Sequence, residues 1–360
     1  MKKYTQEELC LIWLDSFIGL EYKHKQQLYK YIEGKANIKA LIEGCKDYIM
    51  SNVGEKEYNT LLTSANKVYL DYVLDGLNAR QINAITIYSE AYPEKLLNTE
   101  IPPLVLYAQG DERLLTEQSF AIVGSRRSLP NQLAHAKFFA ESISSAGFTI
   151  VTGIAEGVDS AVINATLDKN GKVISVIAGG IDNVYPSANK KLVERIAKTG
   201  LVISEHPPEV VPKPYHFPVR NRIIAGLSDG TLVVSGDIKS GTIYTAEYAE
   251  EYGRQVFAIP YNIGIESGAG CNELIKRGAV LVDSPDDVLN FFGKNLDALA
   301  VEITDEERDV LSVLSNGSKH VEQISKELDC SVFKVSATIS MLEIKGLIVK
   351  DGYNIYGLKR

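Results

Sequence analysis

The 360-residue chain is poor in the residues that build the commonest small-molecule and metal sites. Its four cysteines, Cys10, Cys45, Cys271 and Cys330, never fall in a CxxC pair, which suits neither a zinc site nor a disulfide framework. Its five histidines, His24, His135, His206, His216 and His320, form no HExxH or related spacing. No GxGxxG follows an apolar run and no GxxxxGK[ST] occurs, which argues against a dinucleotide fingerprint and a P-loop ATPase. No apolar run approaches bilayer length, and the stretch Leu9–Leu14 is too short for a secretory signal. These absences predict a reduced, cytoplasmic protein without metal or cofactor and without membrane contact.

Excess positive charge is missing too. The formal net charge is -8; residues 1–75 carry 10 basic and 11 acidic side chains, residues 296–360 carry 8 and 11, and the middle carries 20 and 24. Any nucleic-acid contact must therefore come from a local cluster and backbone amides, not from a general field.

What is present divides the chain into three. In residues 1–75, apolar positions at Leu9, Ile12, Trp13 and Phe17, then Leu28, Tyr29 and Ile32, recur at helical spacing, with breaks at Gly19, Gly34 and Gly54. This predicts a small helical packing module. Residues 76–295 alternate short β-branched runs (Ala121–Val123, Thr149–Thr152, Val173–Ile177, Val202–Ser204, Thr231–Val234, Val256–Ile259) with helical patterns such as His135–Ala146 and Thr245–Tyr252. Continuous apolar strands separated by helices predict a doubly wound, mostly parallel, Rossmann-like α/β sheet. In residues 296–360, helices at Asp305–Leu314, Val321–Leu328 and Val332–Lys345, ended by Gly346, precede a hairpin of Leu347–Lys350 and Tyr353–Leu358. That is a winged-helix outline.

Ligands of such sheets bind beyond the carboxyl ends of the strands. Four of those ends carry small-residue loops: Gly124-Ser125-Arg126-Arg127, Gly153–Gly157, Gly179-Gly180 and Ser240-Gly241-Thr242. Glycine admits an anion close to the backbone, and helix N-termini offer it amides. Arg126 and Arg127, beside Gly-Ser at a strand end, fit phosphate better than a surface ion pair. A second cluster spans Lys213, Tyr215, His216, Phe217, Arg220, Asn221 and Arg222. Composition allows two readings of it: a single-strand grip in which rings stack bases while arginines hold the backbone, or a rigid loop with Phe217 in the core. Asp159 and Glu205 read as a helix cap and a strand end, so no catalytic residue is assigned.

Taken in order, these motifs resemble the DprA/Smf family of DNA-processing proteins. The resemblance runs from about Ile85 to Phe291. It rests on Tyr92-Pro93, Pro102-Pro103, Gly124-Ser125-Arg126, Gly153–Asp159, Tyr185-Pro186 with Asn189, Phe217–Ser228, Ser240-Gly241-Thr242 and Gly270–Ile275. It implies a non-enzymatic protein that binds and protects single-stranded DNA in natural transformation, helps load the RecA recombinase, and dimerises through the Rossmann-like domain. It implies further that Gly124, Ser125 and Arg126 hold phosphate and that Phe217, Arg220 and Arg222 line the strand-binding pocket. Two positions depart from the family pattern: Ser235-Gly236 stands where Glu-Ala is usual, and Pro260-Tyr261 where Pro-Gly is usual. A different reading is a nucleotide sensor or a phosphoribohydrolase-like enzyme on a related scaffold, for which Lys239–Thr242 and Glu247 are distantly suggestive. The full PGGxGT string that such enzymes carry is absent.

Overall fold

The computed structural model describes residues 3–32, 37–294, 304–315, 317–344, 347–352 and 354–358. Gly34, Lys345, Gly346, Tyr353 and the boundary expected at residues 295–296 lie outside them. The chain separates into two compact units, Met1–Phe292 and Gly293–Arg360.

The first unit opens with six helices: α1 (Gln6–Asp15), α2 (Tyr22–Tyr29), α3 (Ile38–Gly44), α4 (Lys46–Asn52), α5 (Glu55–Ser64) and α6 (Lys67–Ala79). Thr5 and Glu8 start α1 with a reciprocal capping box. The antiparallel pair β1 (Asn83–Thr86) and β2 (Val105–Gly110) follows, with the short α7 (Glu94–Leu97) between them. The alternating section is then β3 (Ser119–Val123), α8 (Pro130–Ser145), β4 (Thr149–Thr152), α9 (Val158–Asp168), β5 (Val173–Val176), α10 (Lys190–Thr199) and β6 (Leu201–Ser204). It continues through α11 (His216–Leu227), β7 (Gly230–Val233), α12 (Gly241–Glu251), β8 (Gln255–Ala258), α13 (Glu266–Lys276), β9 (Val280–Leu281) and α14 (Pro285–Phe291).

The nine strands order as β1-β2-β6-β5-β4-β3-β7-β8-β9. All pairings from β6 to β9 are parallel, and β2 runs antiparallel to β6. Every residue of β3, β4, β5, β6 and β7 is buried, which is why their runs show no polar alternation. Order reverses at β3, which has β4 on one side and β7 on the other. That is the topological switch point, and the loops leaving β3 and β7 lie at the carboxyl ends of the strands, where the ligand crevice of such sheets is found.

The N-terminal helices share a core with this sheet. Leu11, Trp13, Leu28 and Ile42 cluster with Val105, Tyr107, Val173 and Val202. α6 crosses the boundary expected at residue 75. A buried ion pair, Lys25 to Asp15 at 2.9 Å, joins α2 to α1, and the Tyr107 hydroxyl donates to the same carboxylate at 2.9 Å.

The second unit holds α15 (Asp305–Leu314), β10 (Lys319–His320), α16 (Val321–Glu327), α17 (Val332–Ile344), β11 (Ile348–Gly352) and β12 (Ile355–Leu358). Its antiparallel sheet is ordered β10-β12-β11, and it has a core of its own around Val310, Ile324, Ile339 and Leu342. This is a winged helix. Among the described residues no helix is long and apolar enough to cross a membrane. Cys10, Cys45 and Cys271 are buried and in no disulfide, and Cys330 is partly exposed.

Candidate nucleic-acid interface

Three of the four expected loops meet at the switch point. The β3 loop is pinned from both sides. Its Ser125 amide donates to Ser235 Oγ (3.1 Å), and Ser128 Oγ lies 2.7 Å from the same hydroxyl. Opposite, the Val158 amide at the start of α9 donates to the Ser125 carbonyl (3.3 Å). Gly157 makes that approach possible: its φ is +80°, and a Cβ there would stand 2.4 Å from the Ser125 oxygen. The β4 loop is held by Asn189, whose side-chain amide donates to Ile154 O at 2.7 Å and Ser160 Oγ at 3.1 Å. Ser240 caps α12, its hydroxyl accepting from the Thr242 amide. Asn221 Nδ2 reaches the Gly241 carbonyl at 3.1 Å and so ties α11 to that cap.

Within this frame the Arg127 amide donates to Ser125 Oγ (3.1 Å), a tight turn that leaves Arg126 and Arg127 exposed. The Arg126 guanidinium stands 5.1 Å over the Phe217 ring, and Phe217 meets Tyr185 edge-on at 5.7 Å. Lys213 is exposed and lies 5.9 Å over the exposed Tyr215 ring. Gly124, Ser125, Arg126, Arg127, Phe217, Asn221, Ser240, Gly241 and Thr242 are thus brought to one crevice, Thr242 as a buried cap residue.

Several expectations are corrected. The Gly179-Gly180 loop is not open: the Pro207–Pro212 segment covers it, and a Cβ on Gly180 would stand 2.2 Å from the carbonyls of Pro207 and Pro208. The segment 213–222 is not one loop, because α11 begins at His216 with Pro218 in its first turn, where a missing N–H costs nothing. At 100° per residue, Phe217, Arg220 and Asn221 share one side of α11 and His216, Val219 and Arg222 the other.

Arg222 therefore does not face the crevice. Its Nη2 is paired with Glu205 Oε2, both side chains are 5% exposed, and its guanidinium lies 5.7 Å over the Tyr22 ring. Arg220 is on the crevice side but beneath it, 6% exposed, donating Nη1 to the Val176 carbonyl and Nε to Asn221 Oδ1 (3.1 Å). Burial pushes its guanidinium down to about 10, against the opposing pull of the Asp159 carboxylate. Burial likewise raises Asp159, with Arg220 as the largest opposing charge. A Cβ on Gly153 would stand 2.4 Å from Asp159 Oδ2 and 2.8 Å from Arg220 Nη2, so only glycine lets the pair pack there. Asp159 is not the cap expected from the sequence: it lies in the first turn of α9, whose N-cap is Gly157, and accepts from the Ala155 amide of the preceding loop at 3.1 Å.

The two departures lie at the same sheet edge, as the sequence predicts: Ser235 is the hydroxyl that pins the β3 loop, and the Tyr261 hydroxyl donates to the carbonyl of Val234, the residue before it (2.7 Å). Glu247, of interest for a nucleotide-cleaving site, is turned to solvent and paired with Arg277 (3.4 Å). Among the described residues no cluster of three histidine, cysteine or acidic side chains is arranged to hold a metal.

The profile of the family described as DNA recombination-mediator protein A matches residues 83–293, and that of the DprA winged helix domain matches residues 295–351. The chain belongs to the DprA family. It is 40% identical over 220 residues to the DNA processing protein DprA of Bacillus subtilis, covering 61% of this chain and 74% of that protein. The crystal structure of DprA from Streptococcus pneumoniae superposes with a TM-score of 0.68 at 31% identity, covering 80% of this chain and 98% of that one. DprA from Helicobacter pylori, described for its single-stranded DNA binding mode, superposes with a TM-score of 0.54 at 31% identity over 59% of this chain and 96% of its own.

Proposed function

We propose that this DprA-family chain binds single-stranded DNA in the crevice between the β3, β4 and β7 loops. The observation that carries this reading is Arg126 standing over Phe217 beside the pinned β3 loop. A guanidinium and an aromatic face at one open crevice suit a phosphate and an unstacked base side by side. Duplex DNA keeps its bases stacked and cannot use the ring. The exposed cations in these loops are Arg126, Arg127 and Lys239, against a chain that is acidic overall, while Lys213, in the segment before α11, lies on the other side of that helix. Affinity then rests on a few local phosphates.

On this reading the chain acts in DNA processing during transformation, as a cytoplasmic homodimer that shields incoming strands and hands them to the RecA recombinase, without catalysis of its own. The test is a titration of the full chain against a labelled single strand and its duplex at several salt concentrations. Engagement of two or three phosphates gives a log–log salt slope of about -2. Equal affinity for the duplex, or a flat salt response, would overturn the reading.

A further inference from the structure

On the other side of α11 lies a cavity of about 1020 Å³ within the first unit, between the α1–α2 segment and the carboxyl end of β6. Pockets of roughly 300–1,000 Å³ hold small organic ligands, so this one has room for a heterocycle and its sugar. It opens away from the Arg126 crevice, because α11 contributes His216, Val219 and Arg222 to it rather than Phe217, Arg220 and Asn221.

Three features define what it would accept. Its walls are rich in rings: Tyr22, Tyr248 and Tyr252, with His206 and His216 stacked on each other at 4.3 Å. Its deepest charges cancel, as Arg222 pairs with Glu205 and Lys25 with Asp15. A phosphate finds no uncompensated cation at that depth. Finally, Glu205 Oε2 is taken by Arg222 while Oε1, in a side chain 5% exposed, has no hydrogen-bond donor. A buried carboxylate oxygen without a donor is costly, and an N–H from a ligand supplies one.

We propose that this cavity is a nucleobase site, in which the N–H edge of the base meets Glu205 Oε1 and its flat faces lie against the tyrosine rings. The inference is independent of DNA binding at the Arg126 crevice. Guanine suits the acceptor best, because its N1–H and N2–H donors lie side by side on one edge. Thymine suits it least, because its single N3–H is flanked by two carbonyls that face the carboxylate.

Equilibrium dialysis of the full chain against nucleosides tests the assignment. Saturable one-to-one binding of deoxyguanosine is expected, at least tenfold tighter than thymidine. Ile101→Trp and Val219→Trp each fill the cavity from partly exposed positions. Each is expected to weaken deoxyguanosine at least tenfold with unchanged melting, whereas Arg126→Ala is expected to leave it untouched. A thymidine oligomer with and without one internal dG separates the two sources of the base. If only the dG-containing strand loses affinity in Ile101→Trp, the base comes from a strand; if the two strands behave alike while deoxyguanosine binds, the ligand is a free nucleoside. Absence of saturable deoxyguanosine binding, or equal binding by both filled variants, overturns the proposal.

Discussion

The Arg126 guanidinium rests 5.1 Å above the Phe217 ring, joining the loop after β3 to the first turn of α11. Arg126 is exposed and its backbone is held by neighbours rather than by its own side chain. Arg126→Ala is therefore expected to weaken single-strand binding roughly tenfold and to reduce the salt slope by about 0.7, the loss of one phosphate contact. Thermal melting should stay at the wild-type value. A variant that binds normally removes Arg126 from the interface.

Arg220→Ala is expected to behave in the opposite way. It leaves the buried Asp159 carboxylate without its nearest cation and the Val176 carbonyl without a donor. Removing one partner of a buried charge pair costs about 3 kcal/mol or more. At roughly 2 °C per kcal/mol for a unit of this size, melting falls by roughly 6 °C. Arg222→Ala should do likewise through Glu205, and a melting curve that does not move would show the guanidinium to be dispensable to the fold.

The stacked histidines make stability fall in mild acid. Burial lowers His206, and burial with the neighbouring His206 and Lys213 pushes His216 down to about 4. The neutral His216 ring accepts the Lys213 amide at 3.3 Å, a bond that protonation at Nδ1 removes. Between pH 6.5 and 4 the unfolded chain binds protons that the folded chain refuses, so stability is complete above pH 6.5 and is lost as pH falls. The slope from one such histidine approaches 1.4 kcal/mol per pH unit. Asp159, raised by burial, acts with the opposite sign, so the histidine contribution is isolated by comparison with His216→Asn. Identical urea midpoints for the two proteins across this range would refute the assignment.

The winged helix is expected not to hold duplex DNA. In α17, Lys334 is already paired with Glu306 at 2.7 Å. The hydroxyls of Ser336 and Ser340 donate back to helix carbonyls, and Thr338, expected to point outward, is buried. A duplex reader neutralises several phosphates before base contacts matter. Titration of the segment 296–360 with a labelled duplex pool at physiological salt should give no association, and micromolar binding would refute this.

Legibility followed local pattern. The six apolar runs from Ala121 to Ile259 all became strands, because burial on both faces makes such runs continuous. β9 was missed because it has only two residues, and β1–β2 because that pair lies ahead of the alternating section. At the site, Arg126 and Phe217 were readable as a cation and a ring in separate motifs, but their contact was not. Arg222 was misjudged for a geometric reason: two arginines two residues apart look equivalent in a string, yet a helix turns them to opposite sides. Glycine motifs were ambiguous in the same way, since Gly157 admits the β3 loop while Gly180 admits only a proline-rich cover.

The thiols make the chain its own reporter of opening. Burial pushes Cys10 up to about 11 and Cys271 up to about 12, so almost no thiolate is present at neutral pH. Cys10 sits in the core shared by the N-terminal helices and the sheet, Cys271 in the cluster beneath α11 and α12, and Cys330 half-open in the second unit. An alkylating reagent therefore marks Cys330 on the intact protein and reaches Cys10 or Cys271 only when the surrounding region opens. The ratio of those two labelling rates is a clock for which end of the sheet loosens first.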